Sequence, residues 1–303
     1  MPALLPPEVK LGPVIESVRL RCALGIRFRD TATRQVVAAG LRVSATPAGA
    51  AAGTEPVTAQ ANRSGVWTFH GLRNLRTFEL GTEEFPEADS PPGPPSFRIE
   101  VQDAEGRFLP CAFNAAASPK GPFQFASDLS PPWQWNDVPL FSAPSRPLAP
   151  GCAVIRASLV ATPPTKPLEP ASWALLQASA TVRNRRVQAV QALGIADRQG
   201  NVAIMFPWPE LVTLAVGSPP GGLRLEEQGW PFEFTGWHDF AVPASEFADV
   251  DTILSRLARS PDTLATVLSP LEIFTHATLK YGRELVLPED RGALDQPRIL
   301  IVT

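Results

Sequence analysis

Hydrophobic and polar positions alternate along most of this chain with a period of two. Val18, Leu20 and Cys22 fall on one side of a segment whose Arg19 and Arg21 fall on the other, and side chains two apart share a face only in an extended strand. The same alternation predicts strands over Val18–Ile26, Leu41–Ala45, Gly65–Phe69 and Phe97–Val101, then again over Ala153–Val160, Trp173–Ala178, Arg186–Ala196 and Val202–Phe206. Polar turns separate the runs: Asp30–Thr33, Asn62–Gly65, Asp103–Gly106 and Asp197–Gly200, with Val182–Arg186 as an exposed hairpin tip. Asn, Asp and Gly serve such turns because the short side chains accept bonds from nearby backbone and glycine adopts positive φ.

One combination occurs twice. Asn62-Arg63-Ser64-Gly65 leads into the strand ending at Phe69, and Asp197-Arg198-Gln199-Gly200 leads into the strand ending at Phe206. Each follows an opening strand at a similar distance, which predicts two β-modules, one over 14–145 and one over 151–303. The exception to the period of two lies near the C-terminus. Ile253, Leu254 and Leu257 share one helical face, with Asp251 at the start and Arg259 at the end, where each charge suits the helix dipole. Pro261–Leu268 reads as a second short helix with proline in its first turn. The expectation is a helical insert over 246–268 in the second module. Leu279, Tyr281, Glu284–Leu287 and Arg298–Val302 return to strands that close the second sheet.

Composition sharpens this mainly-β reading. The 303 residues suffice for two domains, and the 34 prolines are about twice the usual share of ~5%, which argues against long helices because proline lacks the N–H of a helix interior. Glu83–Ser96 holds five prolines and Pro119–Pro150 combines prolines with Phe123, Phe125, Trp133, Trp135 and Phe141. These read as an extended loop and as a loop packed back on its own domain. With 27 Lys+Arg against 30 Asp+Glu there is no positive field for a phosphate backbone, so no nucleic-acid partner is expected. Cys22, Cys111 and Cys152 lack metal-ligand or redox spacing, the start lacks a basic, apolar leader, and no run of 18 apolar residues spans a bilayer. The expectation is a cytoplasmic protein with no membrane contact.

The order strand, Asp-x-x-Thr turn, strand, then Asn/Asp-x-x-Gly and an aromatic strand resembles the carboxypeptidase-regulatory-like or transthyretin-like β-sandwich. Asp30, Thr33, Ala39, Val43, Asn62, Gly65, Trp67, Phe69, Phe97, Ile99 and Val101 carry the resemblance in the first copy. Lys166, Pro167, Ala171, Ala174, Leu176, Asp197, Gly200, Ala203 and Phe206 carry it in the second, which has no counterpart of Phe97–Val101. The resemblance implies two Ig-like or transthyretin-like sandwiches of the non-catalytic kind used for rigidity, docking or adhesion. The two-module arrangement with a helical insert also resembles accessory structural proteins of phage-tail-like contractile injection systems, which implies protein subunits of a larger assembly as partners.

Candidate chemistry is sparse. His70, His238 and His276 have no neighbour at metal-ligand spacing, and no GxSxG elbow marks a serine nucleophile. Glu83-Glu84, Glu226-Glu227, Asp249 with Asp251, and Glu289-Asp290 supply paired carboxylates, whose separation across a cleft sequence does not fix. No catalytic residue, metal or cofactor is expected. The candidate partner-binding residues are Trp230, Phe232, Phe234 and Trp237 in an aromatic patch, with Trp133 and Trp135, since rings contribute large contact area at little rotamer cost. The expected function is therefore a non-enzymatic structural or adaptor protein that presents rigid sandwich loops. Two alternatives are a carbohydrate-binding module using exposed tryptophans and a divergent hydrolase with a site at the module boundary.

Overall fold

A computed structural model of the chain describes residues 21–51, 53–81, 85, 94–118, 121–125, 135–162, 167–183, 187–210, 228–242, 245–267, 272–288 and 298–302. The protein is mainly β, with several sheets packed as sandwiches and a short helical segment near the C-terminus. The first half supplies β1 (Leu24–Asp30), β2 (Leu41–Pro47), β3 (Val57–Thr58), β4 (Gln60–Ala61), β5 (Val66–Phe69), helix α1 (Arg76–Glu79), β6 (Ser96–Asp103), β7 (Cys111–Ala116) and β8 (Val138–Leu140). The second supplies β9 (Cys152–Ala161), β10 (Glu169–Pro170), β11 (Leu175–Arg183), β12 (Val187–Ile195), β13 (Asn201–Pro207), β14 (Gly229–Trp237), β15 (Ala248–Asp249), helix α2 (Val250–Ser255), β16 (Thr263–Thr266), β17 (His276–Lys280), β18 (Leu285–Leu287) and β19 (Ile299–Val302).

In the first sandwich a sheet of order β4-β5-β1-β8 faces one of order β15-β7-β6-β2-β3. Alternate residues fill the space between them: Leu24, Ile26 and Phe28 from β1, Val43 and Ala45 from β2, Phe97, Ile99 and Val101 from β6, and Phe113 from β7. Edge-to-face rings consolidate this core, with Phe28 6.4 Å from Trp67 and 6.3 Å from Phe113 between centroids.

The second sandwich repeats the pairing. As β1 pairs antiparallel with β5 and parallel with β8, so β9 pairs antiparallel with β13 and parallel with β18. As β2 lies between β3 and β6, with β6 leading to β7, so β11 lies between β12 and β14, with β14 leading to β17. The repeated polar turns share one bonding pattern. Asn62 Oδ1 accepts from the Ser64 and Val66 amides at 2.9 and 3.0 Å, and Asp197 Oδ1 accepts from the Gln199 and Asn201 amides at 2.9 Å each. Gly65 and Gly200 both have positive φ. A Cβ on Gly200 would collide with the Leu159 carbonyl oxygen, so only glycine lets this turn close against β9.

Three expectations need correction. The first concerns the supposed gap in the second copy: β14 stands where β6 stands in the first, and Trp230, Phe232 and Phe234 point inward at alternate positions as Phe97, Ile99 and Val101 do. Pro261–Leu268, the second concern, contains the strand β16 rather than a helix, because Thr263–Thr266 pair with β19 and a ladder with β-branched threonines outweighs the single-turn propensity of a proline start. Finally, the helical insert leaves its own module. β15 pairs in parallel with β7 of the first sandwich, and Val250, Ile253 and Leu254 of α2 join its core. Asp249 caps α2, accepting from the Thr252 amide, and ion-pairs with Arg98 at 2.7 Å. Asp251 accepts from the Asn114 amide at 2.8 Å.

Candidate functional site

Several buried polar groups, Asp30, Ser142, Arg146 and Arg256 among them, lie where the two sandwiches meet. Asp30 ends β1, and its carboxylate accepts from the Ala32 amide at 2.9 Å, from Thr33 Oγ1 at 2.8 Å, and from both terminal nitrogens of Arg146 at 2.9 and 2.7 Å. The pair is almost wholly buried, and the Arg146 guanidinium lies 4.9 Å over the Phe108 ring. Burial alone would raise the Asp30 pKa, but the bonds from Arg146 and Thr33 and the adjacent positive charge outweigh it and hold the carboxyl below its ordinary value. Arg156, on the central strand β9, donates to the Pro144 and Arg146 carbonyls and ion-pairs with Glu284 at 2.5 Å. Turn, linker and central strand are thereby tied in series. Ala32 fits into a small cluster with Val154, Ala203 and Met205 of the second sandwich.

A second joint lies beyond α2. Arg256 is 1% exposed, donates from Nη1 to the Trp173 carbonyl at 2.9 Å, and leaves Nε and Nη2 without partners among the described residues. Its burial lowers its pKa. Burial, with Arg256 close by, pushes His238 down to about 4. The His238 amide donates to Asp262 at 2.7 Å, and burial raises the Asp262 pKa. Trp173, Leu175, Leu193, Ile195 and Trp237 from the second half belong to the same hydrophobic cluster as the first core. The two sandwiches therefore share apolar interior at this joint.

The four candidate partner-binding rings of β14 are core residues. Trp230 is 2%, Phe232 0%, Phe234 4% and Trp237 7% exposed. Each belongs to β14: Trp230, Phe232 and Phe234 take its inward positions, while Trp237, on the opposite face, packs into the first core; aromatic content alone did not distinguish a recognition patch from a strand buried on both faces at its end. Trp237 Nε1 donates to the Arg259 carbonyl at 3.2 Å. Trp135 is half-buried and lines a cleft, and Trp133 lies outside the described residues, as do Glu83-Glu84, Glu226-Glu227, Glu289-Asp290 and the Asn184–Arg186 part of the hairpin tip. Asp249 and Asp251 serve the α2 start rather than face each other across a cleft. Burial pushes the Cys111 thiol up to about 12, removing it as a nucleophile. Among the described residues no group of three or more His, Cys, Asp or Glu side chains is placed to hold a metal ion.

The cleft occupies about 340 Å³ at the junction. Arg29 and Arg34 of the first half and Gln191 of β12 supply its polar lining, and Trp135, Phe141 and Met205 its apolar lining. Arg27 and Arg29 both engage a single buried carboxylate, Asp137, at 2.6 Å. The Arg34 guanidinium is exposed and makes no hydrogen bond or ion pair with the described residues. Sequence reasoning read Asp30 as a turn residue and missed its second role, because Arg146 sits in a proline-rich stretch without any periodic signal.

Compared with known proteins, the chain matches no family model, no curated protein and no solved structure.

Proposed function

We propose that the chain is a non-enzymatic structural or adaptor protein, a pair of transthyretin-like sandwiches held as one body that presents loops and strand edges to protein subunits of a larger assembly. The observation that carries this reading is the junction. Its buried ion pair, the Arg156 and Arg256 bridges and the shared apolar interior fix one sandwich against the other. Domains that move about one another generally meet across smaller, more polar surfaces. A fixed geometry lowers the ordering entropy lost when several contact points engage at once. The repeated strand pairing and the repeated Asn/Asp-x-x-Gly turn support assignment of both halves to one sandwich type. Three free thiols, Cys22, Cys111 and Cys152, support residence in a reducing compartment such as the cytoplasm. Burial of Trp230 and Trp237 favours this reading over a glycan-binding one, which would have to use Trp135 at the cleft or Trp133.

The test is gentle extraction of the endogenously tagged protein followed by native mass spectrometry. The expected result is a complex well above 32.6 kDa with protein subunits in fixed stoichiometry. A lone monomer in the native extract, unchanged by chemical crosslinking before lysis, contradicts the proposal.

A further inference from the structure

Backbone parity identifies an open strand edge beside the junction cleft. The Ala196 amide donates to the Ala174 carbonyl at 2.8 Å, and the β11–β12 register continues from that pair through Leu176↔Gly194, Ala178↔Ala192 and Ala180↔Val190. In an antiparallel ladder bonded pairs alternate, so Ala189, Gln191 and Leu193 direct their N–H and C=O groups away from β11. None of these outward groups has a backbone partner among the described residues.

Such an edge is usually blunted by charge, proline, a bulge or shortness. β12 has none of these: it runs nine residues in unbroken register and contains no charged residue and no proline. The other edges among the described residues are shorter. β3, β4, β10 and β15 have two residues each, β8 three and β16 four, while β17 has five and carries Lys280. β13, the seven-residue edge around the corner, ends in Pro207.

The cleft beside β12 defines what would bind. Gln191, Ala192 and Leu193 line it together with Arg29, Arg34 and Trp135. Charge there is unbalanced. Asp30 is consumed by Arg146, Arg27 and Arg29 share the one carboxylate of Asp137, and Arg34 has no acidic partner among the described residues. We propose that β12 is a docking edge, to which an extended segment of a partner protein adds as a further strand, placing an apolar side chain in the cleft and an acidic one against Arg34. Main-chain bonds would supply affinity and the cleft selectivity. This inference rests on the adaptor reading and names its contact.

The experiment uses the full chain and a blocked nine-residue peptide of alternating valine and threonine, with leucine and glutamate at its centre. The expected result is slowed amide exchange at Ala189, Gln191 and Leu193 on titration. Binding falls at least tenfold in Gln191→Pro, whose lost N–H is not part of the β11 ladder, and likewise when the peptide's central amides are N-methylated. The second comparison holds even where the proline variant fails to fold. Gln191→Thr retains binding, and Arg34→Ala, or lysine in place of the peptide's glutamate, weakens it several-fold at low salt. Absence of protection along β12 at millimolar peptide, or binding indifferent to N-methylation, overturns the inference. So does a dimer of the chain alone that Gln191→Pro dissociates, since the edge would then belong to a second copy. A native complex that persists in Gln191→Pro leaves the adaptor reading standing while removing β12 as its contact; a native monomer removes the adaptor reading itself.

Discussion

Asp30 is the residue on which most depends, because one carboxylate both closes the turn after β1 and neutralises the buried Arg146. A buried ion pair contributes little net stability over an apolar replacement, yet removing one partner strands the other. Arg146→Met should therefore cost about 3–5 kcal/mol, read from the denaturant midpoint, whereas the double variant Asp30→Leu with Arg146→Met should recover part of that loss. Full additivity of the two single effects would contradict the coupling. Acid acts on different residues in different ranges. His238 falls from 6.5 unfolded to about 4 in the fold, so the unfolded chain binds the extra proton between those values and stability declines as pH drops across them. Asp30, held below its ordinary value, contributes stability that is complete above about pH 4 and is lost as pH falls through its lower folded value. Asp251 and Asp262, raised by burial, act in the opposite sense, favouring the fold in acid and losing that contribution as pH rises through their folded values. The His238 contribution is isolated by difference: His238→Gln should reduce the wild-type loss of stability between pH 6.5 and 4 by on the order of 2–3 kcal/mol in total. An unchanged slope would show that the ring titrates normally.

At the scale of elements, the repeated turn was legible because its chemistry is local. Asn62 and Asp197 each accept two backbone amides in their own turn, and an Asx side chain followed by a positive-φ glycine announces this in four residues. Asp197→Ala should cost about 1–2 kcal/mol by leaving those donors unpaired, and Gly200→Ala more, since its Cβ would meet the Leu159 carbonyl; thermal unfolding of the two variants gives the order. β1, β2, β6 and β11 follow the period of two closely for the same local reason. What escaped detection was non-local. β16 depends on β19, β15 on β7, and the inward face of β14 on β9 and β19 of the facing sheet, and no short window contains those partners. The junction was hidden for the same cause: Asp30 and Arg146 are 116 residues apart.

For the whole molecule the main consequence is that the boundary between halves is not a boundary between cores. Residues 248–258 belong to the second half by sequence but complete the first sandwich, and Trp173, Leu175, Leu193, Ile195 and Trp237 extend its apolar interior. The first half then lacks its full core alone, and an expressed fragment ending near residue 150 exposes the face that Ile253 and Leu254 cover, whereas the second core is built from second-half residues only. Scanning calorimetry of the intact chain is the most direct examination of this coupling. Coupled sandwiches predict one transition whose calorimetric and van't Hoff enthalpies agree, with the fragment 21–150 melting far lower or not folding. Two resolved transitions, one of them reproduced by the isolated fragment at the same temperature, would contradict a single fused body.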